Sequence, residues 1–424
     1  MASRHDRRHL MNWRSVAVIV AVLWTAEPAV PAETQDPEPF MPPAASRELI
    51  ERINRLYSED RIERLKTIRE LQDMGPAAAL AAPFLVNVLS DRTVVVVPDR
   101  TILGSHEEGI ALRARDALVA IGSAAVPVLQ AAVRASPDAN TRALAAEAMH
   151  IIIFRSGGRP AGMITRYQVD ETCIALWLVA MKDPDERVRR YATEGIARSG
   201  TDSCIPALVE ALADAHQPVR QVAVEGVARL KAKEAVDTLI PMLAEEPLRV
   251  SVQKALGTIG APAVGPLVSA IGDEHCTYRD NACWALYRVR DPEAIPLLHE
   301  ALRHDDPLVR KWAASALAGI RSPLSLEPLS AALADADPPV RSTAAWALGH
   351  LRYREAEDRA TAAGKLAAAL REDDRWEVRQ AAAASLGRLR PLAPAALKAL
   401  REARNDDENA RVREIAAEVL AKNE

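Results

Sequence analysis

The sequence predicts an all-α protein, a right-handed superhelical solenoid of about eleven helix pairs stacked one on the next. Three observations predict it. A twelve-residue pattern recurs eleven times after residue 60. Its apolar positions fall on one side of a helix at 100° per residue. Hydrophobic residues make up 49% of the 424-residue chain while aromatics make up only 4%. The apolar content is therefore mostly Ala, Leu and Val, which suits close-packed helices better than a β-sandwich.

The first 32 residues stand apart from this pattern. Arg4, Arg7, Arg8 and Arg14 form a basic start, Val16 to Trp24 supplies a short apolar run, and Val30-Pro31-Ala32 offers small residues for cleavage. This is the layout of an export signal, and it places the mature protein in the periplasm or outside the cell. The run is short for a span of about 20 residues, so no stable membrane span is expected after cleavage; an uncleaved anchor is the alternative. Residues 33–46, rich in Pro and Glu, read as a disordered linker. Removing residues 1–32 takes away four of 54 basic and two of 58 acidic residues, so 50 face 56 and the balance moves from −4 to −6. With charge spread along the chain, nucleic acid is not an expected partner, since phosphate binding needs a concentrated basic face.

Residues 47–424 carry the repeat. Its clearest copy runs from Val340 to Leu351, and the same frame starts at Glu63, Ile110, Thr141, Val188, Val219, Leu248, Tyr278, Val309, Val340, Val378 and Val412. The basic period is near 31 residues, and insertions near 91–109 and 155–169 interrupt it. The first contains a β-like run, Thr93 to Val97, and the two are candidates to meet as a small flap. Positions one, five, eight, nine and twelve are mostly apolar or small, so each frame is a core-facing helix. Position five is Ala in nine copies, which close approach of neighbouring helices requires. A shorter apolar helix precedes each frame, often with Pro in its first turn (Pro206, Pro266, Pro296), where a missing N–H costs nothing. Turns such as Asp183-Pro184, Asp306-Pro307 and Asp337-Pro338 join the two helices.

Position two is the most regular polar position. It holds Arg64, Arg142, Arg189, Arg220, Arg249, Arg279, Arg310, Arg341, Arg379 and Arg413, with Ala111 the exception. Six residues ahead of Arg189, Arg220, Arg279, Arg341, Arg379 and Arg413 stand Asp183, Asp214, Asp273, Asp335, Asp373 and Asp407. A guanidinium can bond its own turn and the next repeat's turn at once, giving a structural ladder of charge-assisted hydrogen bonds that sets the stacking register.

The frame Val-Arg-x-x-Ala-x-x-Ala-Leu-Gly-x-Ile/Leu, with Asp ahead of it, resembles the HEAT-like repeats of the phycobilisome-lyase type over roughly residues 47–424. The resemblance implies an armadillo-like superhelix and a role in protein contacts. It also brings in relatives that are chromophore lyases and deoxyhypusine hydroxylases, so the fold leaves function open. The hydroxylases carry His-Glu pairs just after the frame's start. Here those positions hold Arg190-Tyr191, Gln221-Val222, Lys311-Trp312 and Gln380-Ala381, so the resemblance implies no iron site in this chain.

Other chemistry finds no footing in the residues. His106-Glu107 and His299-Glu300 lie off register, and His299 and His304 are five apart where a zincin pair needs four; neither a metal nor another cofactor is expected. Nucleotide and serine-nucleophile motifs do not occur, and no catalytic residue is assigned. Cys173, Cys204, Cys276 and Cys283 lack Cys-x-x-Cys spacing and read as free thiols, although export permits disulfides.

The surface opposite the core consists of positions three, seven, ten and fourteen, with four and eleven at its edge. Two zones stand out. Asp116, Glu147, Glu194 and Glu225 form an acidic stripe. Trp284, Tyr287, Trp312 and Trp346, with Asp280, Lys311 and His350 nearby, form one aromatic patch of the kind found at interface hot spots. The leading reading is a non-catalytic exported scaffold that binds a protein or peptide partner on its concave face. The alternatives are an accessory enzyme resembling the bilin lyases, holding a tetrapyrrole on the aromatic patch, and a structural component of an envelope assembly.

Overall fold

The frame helices foreseen from the repeat are all present in the computed structural model, which describes residues 46–98, 105–154, 169–199 and 201–422. The expected signal segment, nearly all of the linker and most of the second insertion lie outside these residues. Ser46, assigned above to the linker, instead caps the first helix by accepting the Leu49 N–H at 3.2 Å.

The chain divides into two units, 1–199 and 200–424, and the helices counted in each are those of the described residues. In the first, four helix pairs follow one another: α1 (Arg47–Arg55) with α2 (Arg61–Met74), α3 (Ala82–Val88) with α4 (Ile110–Ile121), α5 (Val126–Ala135) with α6 (Ala139–Phe154), and α7 (Glu171–Ala180) with α8 (Glu186–Ser199). The second holds seven: α9 (Ile205–Ala211) with α10 (Gln217–Arg229), α11 (Val236–Leu239) with α12 (Arg249–Ile259), α13 (Val264–Gly272) with α14 (Arg279–Arg288), α15 (Ile295–Ala301) with α16 (Pro307–Ile320), α17 (Leu326–Ala332) with α18 (Pro338–Leu348), α19 (Ala356–Glu372) with α20 (Trp376–Leu386), and α21 (Pro394–Asp406) with α22 (Ala410–Ala421). Even-numbered helices are the frames. Except in the last two repeats, successive frame helices within each unit pack side by side more extensively than successive first helices do. The frames therefore form the more closely packed layer of each unit, with position seven on the helix side opposite the core.

Small side chains make that proximity feasible. The nine position-five alanines, Ala114 through Ala416, are all fully buried. Fully buried leucines such as Leu317, Leu348 and Leu386 add roughly 1.5–3 kcal/mol each. One apolar helical run, Ile110–Ala135, is long enough by composition to span a membrane. It turns at Gly122, whose φ of 78° suits glycine, and forms α4 and α5 of the stack.

The first insertion is a β-hairpin between α3 and α4, with β1 (Val94–Pro98) antiparallel to β2 (Ser105–Gly109). Val95 pairs with Glu108, and both are buried, while Val94 and Val96 face outward. Glu108 receives Arg113 in two bonds of 2.9 and 3.0 Å and also pairs with Arg69. A buried carboxylate held by two guanidiniums thus pins the hairpin to α2 and α4. The proposed meeting with the second insertion falls on residues outside those described.

Most of the position-two arginines make two kinds of bond. One end of the guanidinium donates to the backbone carbonyl six residues back: Arg142 to Ser136 at 3.0 Å, Arg189 to Asp183 at 2.8 Å, Arg220 to Asp214 at 2.8 Å, Arg310 to His304 at 2.9 Å and Arg379 to Asp373 at 2.9 Å. The other end grips a carboxylate of the next repeat with two bonds: Arg142 with Asp183 (2.7 and 3.0 Å), Arg310 with Asp335 (2.8 and 2.7 Å), Arg341 with Asp373 (2.7 and 2.9 Å) and Arg379 with Asp407 (2.8 and 3.1 Å). The same aspartates close their own turns, as when Asp335, Asp373 and Asp407 accept the backbone N–H two residues on at 2.8–2.9 Å. One carboxylate therefore shapes a turn and anchors the neighbouring repeat.

The rungs at repeats six to eight depart from the expected pattern. Leu243 stands where the sixth repeat would need Asp, so Arg220 reaches Glu245 at 2.8 Å instead. Among the described residues Arg249 pairs only with the exposed Glu246 of its own turn. His304 occupies the Asp position of the eighth repeat and accepts the Asp306 N–H at 3.0 Å, as Asp does elsewhere. An imidazole offers no paired oxygens, so Arg279 bonds Asp306 rather than residue 304, and turns its Nε to the Ile271 carbonyl rather than to Asp273. Asp273 caps its own turn through the His275 N–H at 2.9 Å.

Candidate binding face

On the frame helices of the first unit the acidic stripe is matched internally. Arg115 bonds Asp116 at 2.7 Å and Glu147 at 2.9 Å. His150 Nε2 lies 3.1 Å from Glu194, which also accepts Arg198 at 3.0 Å. The His150 hydrogen bond holds the Glu194 carboxyl below its usual range against the opposing effect of burial. Tyr191 sits beneath Arg190, 4.8 Å from its ring, and burial together with Glu147 pushes its hydroxyl up to about 12. Phe154 stacks on Trp177 at 5.8 Å, and the Arg198 guanidinium lies 5.5 Å from the Phe154 ring. A Cβ on Gly195 would lie 2.5 Å from the Trp177 ring, so glycine admits the indole between α7 and α8. In this unit the expected display of negative charge is thus corrected to a packed, paired network, because Asp116, Glu147 and Glu194 each meet a cation on their own or a neighbouring helix.

His150, Tyr191 and Arg115 take part in this network without having been singled out in the sequence. Reading the acids of position seven together with positions four, six and ten of the flanking frames would have found them. Glu225, in the second unit, is exposed and accepts Gln221 Nε2 at 2.9 Å.

The aromatic residues of the second unit form two clusters where one patch was expected. In the first, Trp284 and Tyr287 of α14 meet Trp312 of α16 edge to face, with ring centroids 5.3–6.5 Å apart. Trp284 is 51% exposed. Lys311 lies 5.7 Å over Trp312, and Asp280 is exposed beside them. In the second, Trp346 packs on His350 at 4.2 Å, and His350 Nδ1 is 2.8 Å from the Trp346 carbonyl. Burial lowers the His350 pKa, and Arg388 and Arg321 lower it further. No ring contact joins the two clusters among the described residues, because the position-seven residue between them in the stack is Ser315. Trp346 instead lines a groove of about 470 Å³ with Ser315, Ser342, Glu377 and Gln380, across α16, α18 and α20.

The remaining chemical candidates have ordinary partners. His299 Nε2 is 3.1 Å from Ser325 Oγ. Cys173, Cys204 and Cys283 are buried free thiols and Cys276 is a half-buried one; burial pushes the Cys283 thiol up to about 12, far from a reactive thiolate. Among the described residues no group of three or more His, Cys, Asp or Glu is placed to hold a metal.

Stacked helix pairs with an arginine ladder along the turns define an α-solenoid. The family model for HEAT repeats matches residues 174–257, 264–349 and 326–421, more than half of the chain. The protein belongs to the HEAT-repeat family. Among solved structures it is similar to the complex of CpcE and CpcF of phycocyanin lyase from a Nostoc species, with 26% identity over 37% of this chain and 98% of that one, at a TM-score of 0.33. It is also similar to the karyopherin Kap121p bound to the extreme C-terminus of the protein phosphatase Cdc14p (15% identity, 88% of this chain and 45% of that one, TM-score 0.53). Kap121p bound to Pho4p gives 15% identity over 97% and 49%, with a TM-score of 0.52. The chain thus spans about half the length of those karyopherin chains, and the likeness is one of fold. No curated protein matches it.

Proposed function

We propose that this chain is an exported, non-catalytic scaffold that binds a protein or peptide partner on the inner face of its second unit. The observation that carries this reading is Trp284, half exposed at the head of an edge-to-face aromatic triad on adjacent frame helices. A large indole held rigid by its neighbours and left open to solvent gives a partner contact area at little ordering cost. The Trp346 groove beside it offers hydroxyl, amide and carboxylate groups suited to a peptide backbone. Export rests on the basic and apolar start of the sequence, and N-terminal sequencing of the mature protein tests it: a chain beginning near residue 33 is expected, and an intact Met1 in a cytoplasmic fraction would reject it.

Co-purification from an envelope fraction tests binding. A stoichiometric protein partner should be retained by the native chain and lost on Trp284→Ala combined with Trp346→Ala, with Tm unchanged. A visible absorbance band from a bound tetrapyrrole, or a partner that survives both substitutions, would overturn the reading.

A further inference from the structure

The arginines of the second unit fall into two populations. Those at position two are committed to the ladder. A second set follows the frame: position thirteen is Arg in four successive repeats, Arg290, Arg321, Arg352 and Arg390, and Arg288 and Arg388 stand two residues before the first and last of these. All six are exposed, and none makes an ion pair with a carboxylate among the described residues. They lie at the C-terminal ends of α14, α16, α18 and α20, so the parallel stacking of those helices brings them to one edge. The Arg352 N–H donates to the Arg321 carbonyl at 3.0 Å, tying two of these loops together. Arg321 and Arg388 both lower the pKa of His350, which packs on Trp346 at 4.2 Å.

Cations favour helix C-termini, but that preference is met by one charge per helix and does not require the same residue at the same position four times. With frame helices about 8–10 Å apart, the row extends roughly 30 Å, which an extended segment of about nine residues would cover. Guanidiniums pair with carboxylates through two parallel bonds, as the ladder of this protein demonstrates. The overall charge is negative, −4, so a long polyanion or an anionic membrane would meet repulsion beyond the row, whereas a short acidic segment would not.

We propose that this arginine row is the docking edge for an acidic, Asp/Glu-rich segment of the partner protein, entering beside the Trp346 groove. The proposal rests on the concave-face reading above and adds the chemistry of the ligand to it.

The probe is a fluorescein-labelled nine-residue peptide of alternating Glu and Asp, with Gln/Asn and Lys counterparts, titrated against the full chain by fluorescence polarisation. Binding of the acidic peptide alone is expected, weakening roughly tenfold between low and moderate salt. The triple variant Arg290→Glu, Arg321→Glu, Arg352→Glu should lose at least tenfold in affinity, and the corresponding triple Ala variant should lose less while keeping the native circular dichroism. Arg134→Glu, in the other unit, should bind as the native chain does. Equal binding by native and triple variants would overturn the proposal. So would tighter binding to phosphatidylglycerol vesicles or duplex DNA lost in the same triple variant, or concentration-dependent self-association abolished by it. If the peptide fails to bind while the tryptophan substitutions still release the co-purified partner, the concave-face reading stands and the acidic-segment inference falls. If the peptide binds through the arginines while those substitutions release nothing, the converse holds.

Discussion

The frame-helix surfaces of the two units are built from the same positions of the same repeat, yet they end in opposite states. In the first unit Glu147 and Glu194 are matched by Arg115, His150 and Arg198, and aromatic rings are packed against one another. In the second Trp284 stands half exposed, and a groove opens beside Trp346. Behind both faces the ladder is similar. A repeat array can therefore keep its stacking energy in one set of positions and vary the inner surface independently, because nearest-neighbour terms dominate its stability.

The largest expected effect concerns what the two units share. In the second unit, Asp335 is held below the usual carboxylate range by Arg310, and Asp373 and Asp407 are held there by Arg341 and Arg379 against the opposing effect of burial. Their contribution is present above the ordinary carboxylate value of about 3.9. It is lost as pH falls through that value towards the lower folded values, since the unfolded chain binds protons first. Thermal melts from pH 7 to pH 3 should show a steep loss of Tm below about pH 4; a flat profile would mean that the rungs contribute nothing net.

A single rung comes next. Arg379 and Asp407 are 8% and 6% exposed, so Arg379→Ala strands a buried carboxylate and should cost about 3–5 kcal/mol in urea denaturation. Arg249→Ala, whose partner Glu246 is exposed, should cost under about 0.5 kcal/mol. Equal costs would remove the distinction between rungs and surface pairs.

Within the first unit, Glu194→Ala deprives the buried His150 of its partner and should lower stability by about 1–3 kcal/mol without altering partner retention. Loss of the partner from this variant would break the contrast between the two faces. Trp284→Ala should be the mildest in stability, under about 1 kcal/mol for a half-exposed side chain, while abolishing retention. A large drop in Tm would reassign that indole to packing.

The amino-acid sequence by itself determined the number of repeats, the placement of every frame helix, the alanines that let them approach and the arginine at position two. These follow from a period carried by local side-chain character: burial on one helical face needs only the right residue every three or four positions. The arginine column at position thirteen lies outside the twelve-residue frame and stood out only once the stacked helix ends were compared. Only the tertiary structure decided which groups met. It divided the tryptophans into two clusters because Ser315 intervenes, moved one rung from His304 to Asp306, and closed the acidic stripe with His150 and Arg115. Such pairings depend on the reach of long side chains across neighbouring helices and on which oxygen lies within about 3 Å, distances that a linear period does not encode.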